Sequence, residues 1–218
     1  MEKNKQFGFF LDQSQCIGCR TCQLTCKDYK DTPIGVSFRR VSEYESGEWL
    51  DDKDATSVTP VGVFAYYSSI SCNHCDEPAC AKVCPTGAMH KTSFGIVEVN
   101  PKKCIGCKAC AMACPYGSPQ YNKQKKHMTK CNGCRERLEQ DLLPICVASC
   151  PARALHAGPI SELREQHGHL ASVAPLPKYE VTRPNLVLKP EKHAQSSGSG
   201  KGTYYLPQHY QEVDYDIV

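Results

Sequence analysis

The chain has 218 residues, sixteen of them cysteine, with 22% charged residues and a formal charge of +3. That length holds one large or two small domains. No run of eighteen or more apolar residues occurs, which excludes a bilayer-spanning helix by hydropathy. The opening Met1-Glu2-Lys3-Asn4-Lys5-Gln6 leads into no apolar signal region, so any export is expected to depend on another protein.

In chain order, Phe7-Gly8-Phe9-Phe10-Leu11-Asp12 reads as a short strand leading to a first cysteine group, Cys16-x₂-Cys19-x₂-Cys22-x₃-Cys26. Residues 27–71 form a long insertion. Within it Val36, Phe38 and Val41 alternate with polar residues, and Val61-Gly62-Val63-Phe64-Ala65-Tyr66-Tyr67 is β-branched and aromatic, so both read as strands. Ser46-Gly47-Glu48 and Asp51-Asp52-Lys53-Asp54 read as exposed turns between them. Arg39-Arg40 is a twin arginine in mid-chain with no apolar stretch after it, and is read as structural.

A second group, Cys72-x₂-Cys75-x₄-Cys80-x₃-Cys84-Pro85, is followed by a turn and strand at Phe94–Val99 that delivers the chain to a third, Cys104-x₂-Cys107-x₂-Cys110-x₃-Cys114-Pro115. A connector rich in Tyr, Lys and Gln leads to the fourth, Cys131-x₂-Cys134-x₁₁-Cys146-x₃-Cys150-Pro151. Its long gap carries a helical turn at Arg135–Gln140. Pro159 and Gly168 bracket a short helix. A strand-like run, Asn185-Leu186-Val187-Leu188, is followed by a Ser/Gly linker at 196–202 and a tail at 203–218 holding four tyrosines.

The four groups use all sixteen cysteines, with none left over. The third has the C-x₂-C-x₂-C-x₃-C-P spacing of bacterial ferredoxins, in which three cysteines bind one cubane and the fourth ligates its neighbour. Gly106 allows the loop a positive φ, which turns backbone N–H groups toward sulfur. A disulfide scaffold is the usual meaning of many cysteines in a short secreted chain, but close C-x₂-C pairs bridge poorly to each other. Structural zinc uses paired C-x₂-C and needs no third cysteine three residues on. Iron–sulfur clusters remain. In the second group His74 stands where the other three have glycine; with four cysteines present it is expected to hydrogen-bond or face solvent rather than ligate iron.

Ferredoxin logic then predicts four sets. The inner, adjoining groups give set B (Cys72, Cys75, Cys80, Cys114) and set C (Cys104, Cys107, Cys110, Cys84). The outer groups give set A (Cys16, Cys19, Cys22, Cys150) and set D (Cys131, Cys134, Cys146, Cys26). Four [4Fe-4S] clusters at about −2 each would take the formal +3 to about −5, so the apparent basicity does not signal nucleic acid. Lys103, Lys108, Lys130 and Arg135 lie beside these cysteines and are candidates to balance the charge. Nothing supplies an open metal site or a nucleophile–base pair with a spare cysteine, so the chain is expected to carry electrons and make no bonds.

The predicted fold is α+β: two interleaved ferredoxin-like units with an inserted β-rich segment and an extended C-terminal tail. The outer unit takes residues 1–30 and 116–160, the insertion 31–71, the inner unit 72–115, a helix-and-strand extension 161–190, and a flexible or partner-draped tail 191–218.

The residues between the cysteines carry a resemblance. Phe7-Gly8-Phe9-Phe10, Cys26-Lys27-Asp28-Tyr29-Lys30, Val36-Ser37-Phe38-Arg39-Arg40, Ser71-Cys72-Asn73-His74-Cys75, His127-Met128-Thr129-Lys130-Cys131 and Val173-Ala174-Pro175-Leu176-Pro177 resemble the iron–sulfur subunits of dimethyl sulfoxide reductase complexes. The likeness covers roughly residues 7–190. The spacing alone is shared by the corresponding subunits of formate dehydrogenase and of nitrate, thiosulfate, tetrathionate and polysulfide reductases. A sibling complex of that kind, or a free-standing polyferredoxin, is the alternative. The resemblance implies a molybdopterin catalytic subunit and an integral membrane anchor that oxidises menaquinol, with this chain between them and no small-molecule substrate of its own. It implies a complex on the periplasmic face of the inner membrane, exported with its catalytic subunit; the cytoplasmic face is the alternative. It also implies that the cluster of Cys104, Cys107 and Cys110 lies nearest the quinol. A related nitrate reductase subunit has tryptophan where this chain has Cys107 and holds a three-iron cluster there, so Cys107 implies four cubanes here.

Overall fold

A computed structural model describes residues 5–51 and 58–206. The chain begins with β1 (Phe7–Asp12), buried along its whole length, then α1 (Thr21–Tyr29). Two long strands follow, β2 (Arg40–Asp51) and β3 (Val58–Ile70). The middle of the chain is built of short pieces: α2 (Ala79–Lys82), β4 (Met89–Lys91), β5 (Val97–Val99), α3 (Ala109–Ala113), β6 (Gln120–Asn122), β7 (His127–Thr129), α4 (Arg135–Leu138) and α5 (Ile145–Ala148). It ends with β8 (Leu155–Pro159), α6 (Ile160–His167), a 3₁₀ turn at Tyr179–Val181, β9 (Leu186–Lys189) and β10 (Thr203–Tyr205).

β1 is the middle strand of a small sheet, antiparallel to β8 and parallel to β9. A strand covered on both faces has no need to alternate, which accounts for its near-continuous apolar run. One face carries Phe7, Phe9 and Leu11 into the main core with Tyr66, Val147, Leu155, Leu186 and Leu188. Phe10 on the other face meets Ile160, Leu163 and Val187, the buried side of α6. Each such side chain contributes about 1.5–3 kcal/mol through burial. Gly8 is required in this strand, since a Cβ there would lie 2.5 Å from Ile160 Cδ1 and 2.8 Å from the Asn185 carbonyl.

β2 and β3 form an antiparallel hairpin. Ser46-Gly47-Glu48, expected as a turn, is a β-bulge inside β2: register shifts between Ser46 and Glu48, and pairing continues to Asp51 opposite Val58. A bulge and a turn share the same small polar signature, so the sequence pattern does not separate them. The Asp52–Asp54 part of the second expected turn lies outside the described residues. Toward its base the hairpin buries Val41, Tyr44, Tyr66 and Ile70, while Trp49 is 71% exposed. Tyr66 locks this base to the C-terminal extension: its hydroxyl donates to the Ala174 carbonyl (2.6 Å) and accepts from Gln195 N–H (3.3 Å). From the expected tail, Thr203–Tyr205 lies antiparallel along β2 of this same chain, and Gly202 N–H donates to the Tyr44 hydroxyl (2.8 Å). Residues 207–218 lie outside the described residues.

The short helices pack in two pairs, α1 with α5 and α2 with α3, which draws distant cysteine groups together. Each of these four helices carries at least one buried cysteine. Four- and five-residue helices are too short to be stable alone, and none of α2, α3 and α5 has a side-chain cap. They are held by tertiary packing, α1 on α5 and α2 on α3.

Candidate metal centres

None of the sixteen cysteines is paired in a disulfide. Cys16, Cys19 and Cys22, from the loop into α1, line one small cavity with Cys150, which follows α5. Cys104, Cys107, Cys110 and Cys84 line a second, walled by Met89, Val99 and Met128. Cys80 lies among the thiols of Cys72, Cys114 and Cys75. Cys26 lies among those of Cys131, Cys146 and Cys134.

The backbone shapes each loop in the same way. The residue before the second cysteine of every group is left-handed: Gly18 (φ 67°), His74 (φ 45°), Gly106 (φ 71°) and Gly133 (φ 66°). That conformation directs an amide at sulfur, with Gly133 N–H 3.3 Å from Cys131 Sγ and His74 N–H 3.5 Å from Cys72 Sγ. Met89 and Met128 N–H point at Cys84 and Cys104 Sγ, each at 3.4 Å. Hydroxyls join them: Ser69 Oγ is 3.2 Å from Cys22 Sγ and Thr21 Oγ1 3.3 Å from Cys19 Sγ. Such donors stabilise negative sulfur.

His74 shows why a histidine can replace glycine here. A non-glycine left-handed residue costs about 1–2 kcal/mol. Its fully buried imidazole offsets that cost, packing edge-on against Phe7 and accepting the Val97 N–H at its Nδ1 (3.0 Å). Burial, with Lys130 nearby, holds its pKa well below the usual histidine range, so the ring is neutral.

Electrostatics make these sites costly without a metal. Burial and neighbouring thiols push Cys16 and Cys110 up to about 11, and Cys75 and Cys80 up to about 12. Cys19, beside the Thr21 hydroxyl and amide, is shifted down. A metal must therefore displace protons from most of these thiols, and the charge it brings compensates for their burial. Among the described residues no three His, Cys, Asp or Glu side chains converge closely enough to clasp a single ion. Thiols arranged around a cavity, with amides aimed at sulfur, suit a polynuclear group whose metals each take one sulfur.

Of the four cations picked out by their position, only Lys130 is buried among the cysteines. Lys103 and Lys108 are exposed, and Arg135 pairs with Glu98 at 2.9 Å. Arg39, half of the twin arginine read as structural, is fully buried beside Cys146 and Cys22. A buried arginine and an exposed one look alike in a polar–apolar alternation, so only its position next to Phe38 hints at burial.

Residues 63–160 match the 4Fe-4S dicluster domain family, and residues 13–30 match the 4Fe-4S binding domain family. The B subunit of the anaerobic dimethyl sulfoxide reductase of Escherichia coli (strain K12) is 57% identical over 203 residues, covering 93% of this chain and 98% of that protein. This chain belongs to the family of dimethyl sulfoxide reductase iron–sulfur subunits. The B subunit of the Haemophilus influenzae enzyme is 55% identical over 198 residues, covering 91% and 96%. YnfG of Escherichia coli (strain K12), a probable anaerobic dimethyl sulfoxide reductase subunit, is 56% identical over 203 residues, covering 93% and 98%. As a member of this family the chain is an iron–sulfur electron-transfer subunit of mixed α/β, ferredoxin-type construction with no catalytic site of its own. Among the described residues no helix is long and apolar enough to cross a membrane.

Proposed function

We propose that this chain holds four [4Fe-4S] clusters, on sets A to D, and relays electrons from a menaquinol-oxidising membrane anchor to a molybdopterin subunit that reduces dimethyl sulfoxide and related S- and N-oxides. The complex sits on the periplasmic face of the membrane. The inner unit, 72–115, is inserted between the halves of an outer one, 1–30 and 116–160. The observation that carries the reading is that sixteen unpaired cysteines fall into four neighbourhoods of four, with amides turned toward the sulfurs. When bound, each cubane takes up and releases one electron with little rearrangement.

The protein's part is to fix spacing, exclude water and present the two ends. Cys72 faces Cys131, and Cys146 faces Cys22. Cys80 and Cys110 share one small core with Cys84, Cys104 and Cys114. These neighbours support the order C–B–D–A. Every cysteine of set D is buried, whereas the two exposed cysteines, Cys107 and Cys19, belong to sets C and A. Each sits beside an exposed isoleucine, Ile105 (67%) and Ile17 (66%), apolar surface of the kind a partner covers. The ends of the relay are thus its contact points, and set D is insulated.

Anaerobic membranes carrying the complex test this reading. A menaquinol analogue is expected to bleach the thiolate-to-iron absorbance, and dimethyl sulfoxide to restore it. Clusters that stay reduced after dimethyl sulfoxide is added would rule out a relay to that substrate.

A further inference from the structure

Among the described residues two cations are buried with no carboxylate partner. Arg39 is 1% exposed. Its Nη1 donates to the Ser69 carbonyl (2.8 Å) and Ser69 Oγ (3.2 Å), and its Nη2 to Ser71 Oγ (3.0 Å). Its guanidinium carbon lies 4.7 Å from the centre of the Phe9 ring. Its Nε–H has no partner. Lys130 is also buried, with its ammonium donating to the carbonyls of Val97 and Cys131. Among the described residues the ion pairs all belong to other side chains.

A buried charge without a counter-ion is among the most unfavourable features a fold can hold. Both cations face sulfur. The sulfur neighbours of Arg39 include Cys146, Cys22, Cys131 and Cys26: one thiol of set A and three of set D. Ser69 bridges it to Cys22, accepting from Arg39 while its Oγ lies 3.2 Å from the Cys22 sulfur. The neighbours of Lys130 are Cys72, Cys131 and Cys80: two thiols of set B and one of set D. Each cation therefore stands at one junction of the C–B–D–A order.

We propose that Arg39 and Lys130 are fixed counter-charges at the two internal junctions of the relay, Arg39 between sets D and A and Lys130 between sets B and D, and that each raises the reduction potential of the clusters on both its sides. The inference rests on the four-cluster reading above. A positive charge held in a low-dielectric interior favours the more negative, reduced state of whatever it faces, and salt screens it little. Donation to Ser69 and Ser71 from both Nη atoms fixes the guanidinium in place. The guanidinium also lies within hydrogen-bonding reach of the Cys146 sulfur.

The test is a redox titration of the assembled complex in membranes, followed by EPR, with iron and sulfide counted on the same samples. Arg39→Gln is expected to lower two of the four midpoints and Lys130→Gln two, with one midpoint, that of set D, moving in both. Each fall should lower the reduced-to-oxidised ratio at least tenfold at the ambient potential where the native cluster is half reduced, about 59 mV for one electron. Unchanged midpoints at full iron content would overturn the proposal, as would all four moving together. If a glutamine variant fails to hold iron, Arg39→Lys or Lys130→Arg decides: full iron with native midpoints supports the charge role, and loss of iron there too assigns the residue to packing and overturns it. Native complex with well under sixteen irons per chain would instead be a failure of the four-cluster reading, visible before any variant is made.

Discussion

Anaerobic removal of iron is expected to unfold the chain. Cys22, Cys26, Cys146 and Cys150 are members of the main core, and Cys80 and Cys110 of the second. The helices that carry most of them are four to nine residues long. Helices that short do not persist without tertiary support. Metal binding that organises such segments is folding free energy, on the order of 10 kcal/mol for one structural zinc site. A whole domain is stable by only about 5–15 kcal/mol, so losing even one of four such sites is comparable to the entire margin. The buried cations add to the loss, since Arg39 and Lys130 face thiols rather than carboxylates. Far-UV circular dichroism and protease resistance before and after chelation would register the collapse. Fluorescence of the single tryptophan would not, because Trp49 is exposed on the hairpin. A stripped chain that kept its spectrum and its resistance would show that the apolar core suffices and that the clusters are passengers.

Cys150→Ser is expected to remove the cluster of set A, although Cys150 belongs in sequence to the fourth group. Cys150 lines the same cavity as Cys16, Cys19 and Cys22, brought there by the packing of α1 on α5. Serine offers a harder ligand, less acidic than cysteine, and no fifth cysteine lines that cavity. Iron per chain should fall from about sixteen toward about twelve, with the EPR contribution of one cluster lost. Set D should keep its iron on Cys26, Cys131, Cys134 and Cys146. Loss of the set D signal with set A intact would mean that the outer groups do not exchange their last cysteines, and the interleaved arrangement would fall with it.

The sequence is most legible where a residue's role is local. The C-x₂-C spacing, the left-handed glycines at 18, 106 and 133, and the Pro159 and Gly168 that bracket α6 each act within a few residues. It is least legible where a role depends on what lies across the fold. Arg39 and Arg40 are adjacent and chemically alike, yet Arg39 is buried among cysteines from both ends of the chain, while Arg40 is half-buried and donates to the Tyr116 carbonyl. His74 reads from sequence as a surface or hydrogen-bonding substitute for glycine; the space between Phe7 and Val97 that makes it tolerable is a property of the packed core. Ser46-Gly47-Glu48 has turn composition but sits opposite β3, where Val63 packs near Gly47, and pairing on both sides turns it into a bulge. Thr203–Tyr205 carries no strand signal strong enough to separate it from the linker before it. Its pairing is decided by the free edge of β2.

The most direct measurement is iron and acid-labile sulfide per chain on anaerobically purified complex, with EPR of the reduced sample. Four cubanes predict about sixteen of each and broad, mutually interacting signals. About twelve irons or fewer would mean that one of the four cysteine sets holds no cubane. Zinc in place of iron would contradict the electron-transfer account altogether.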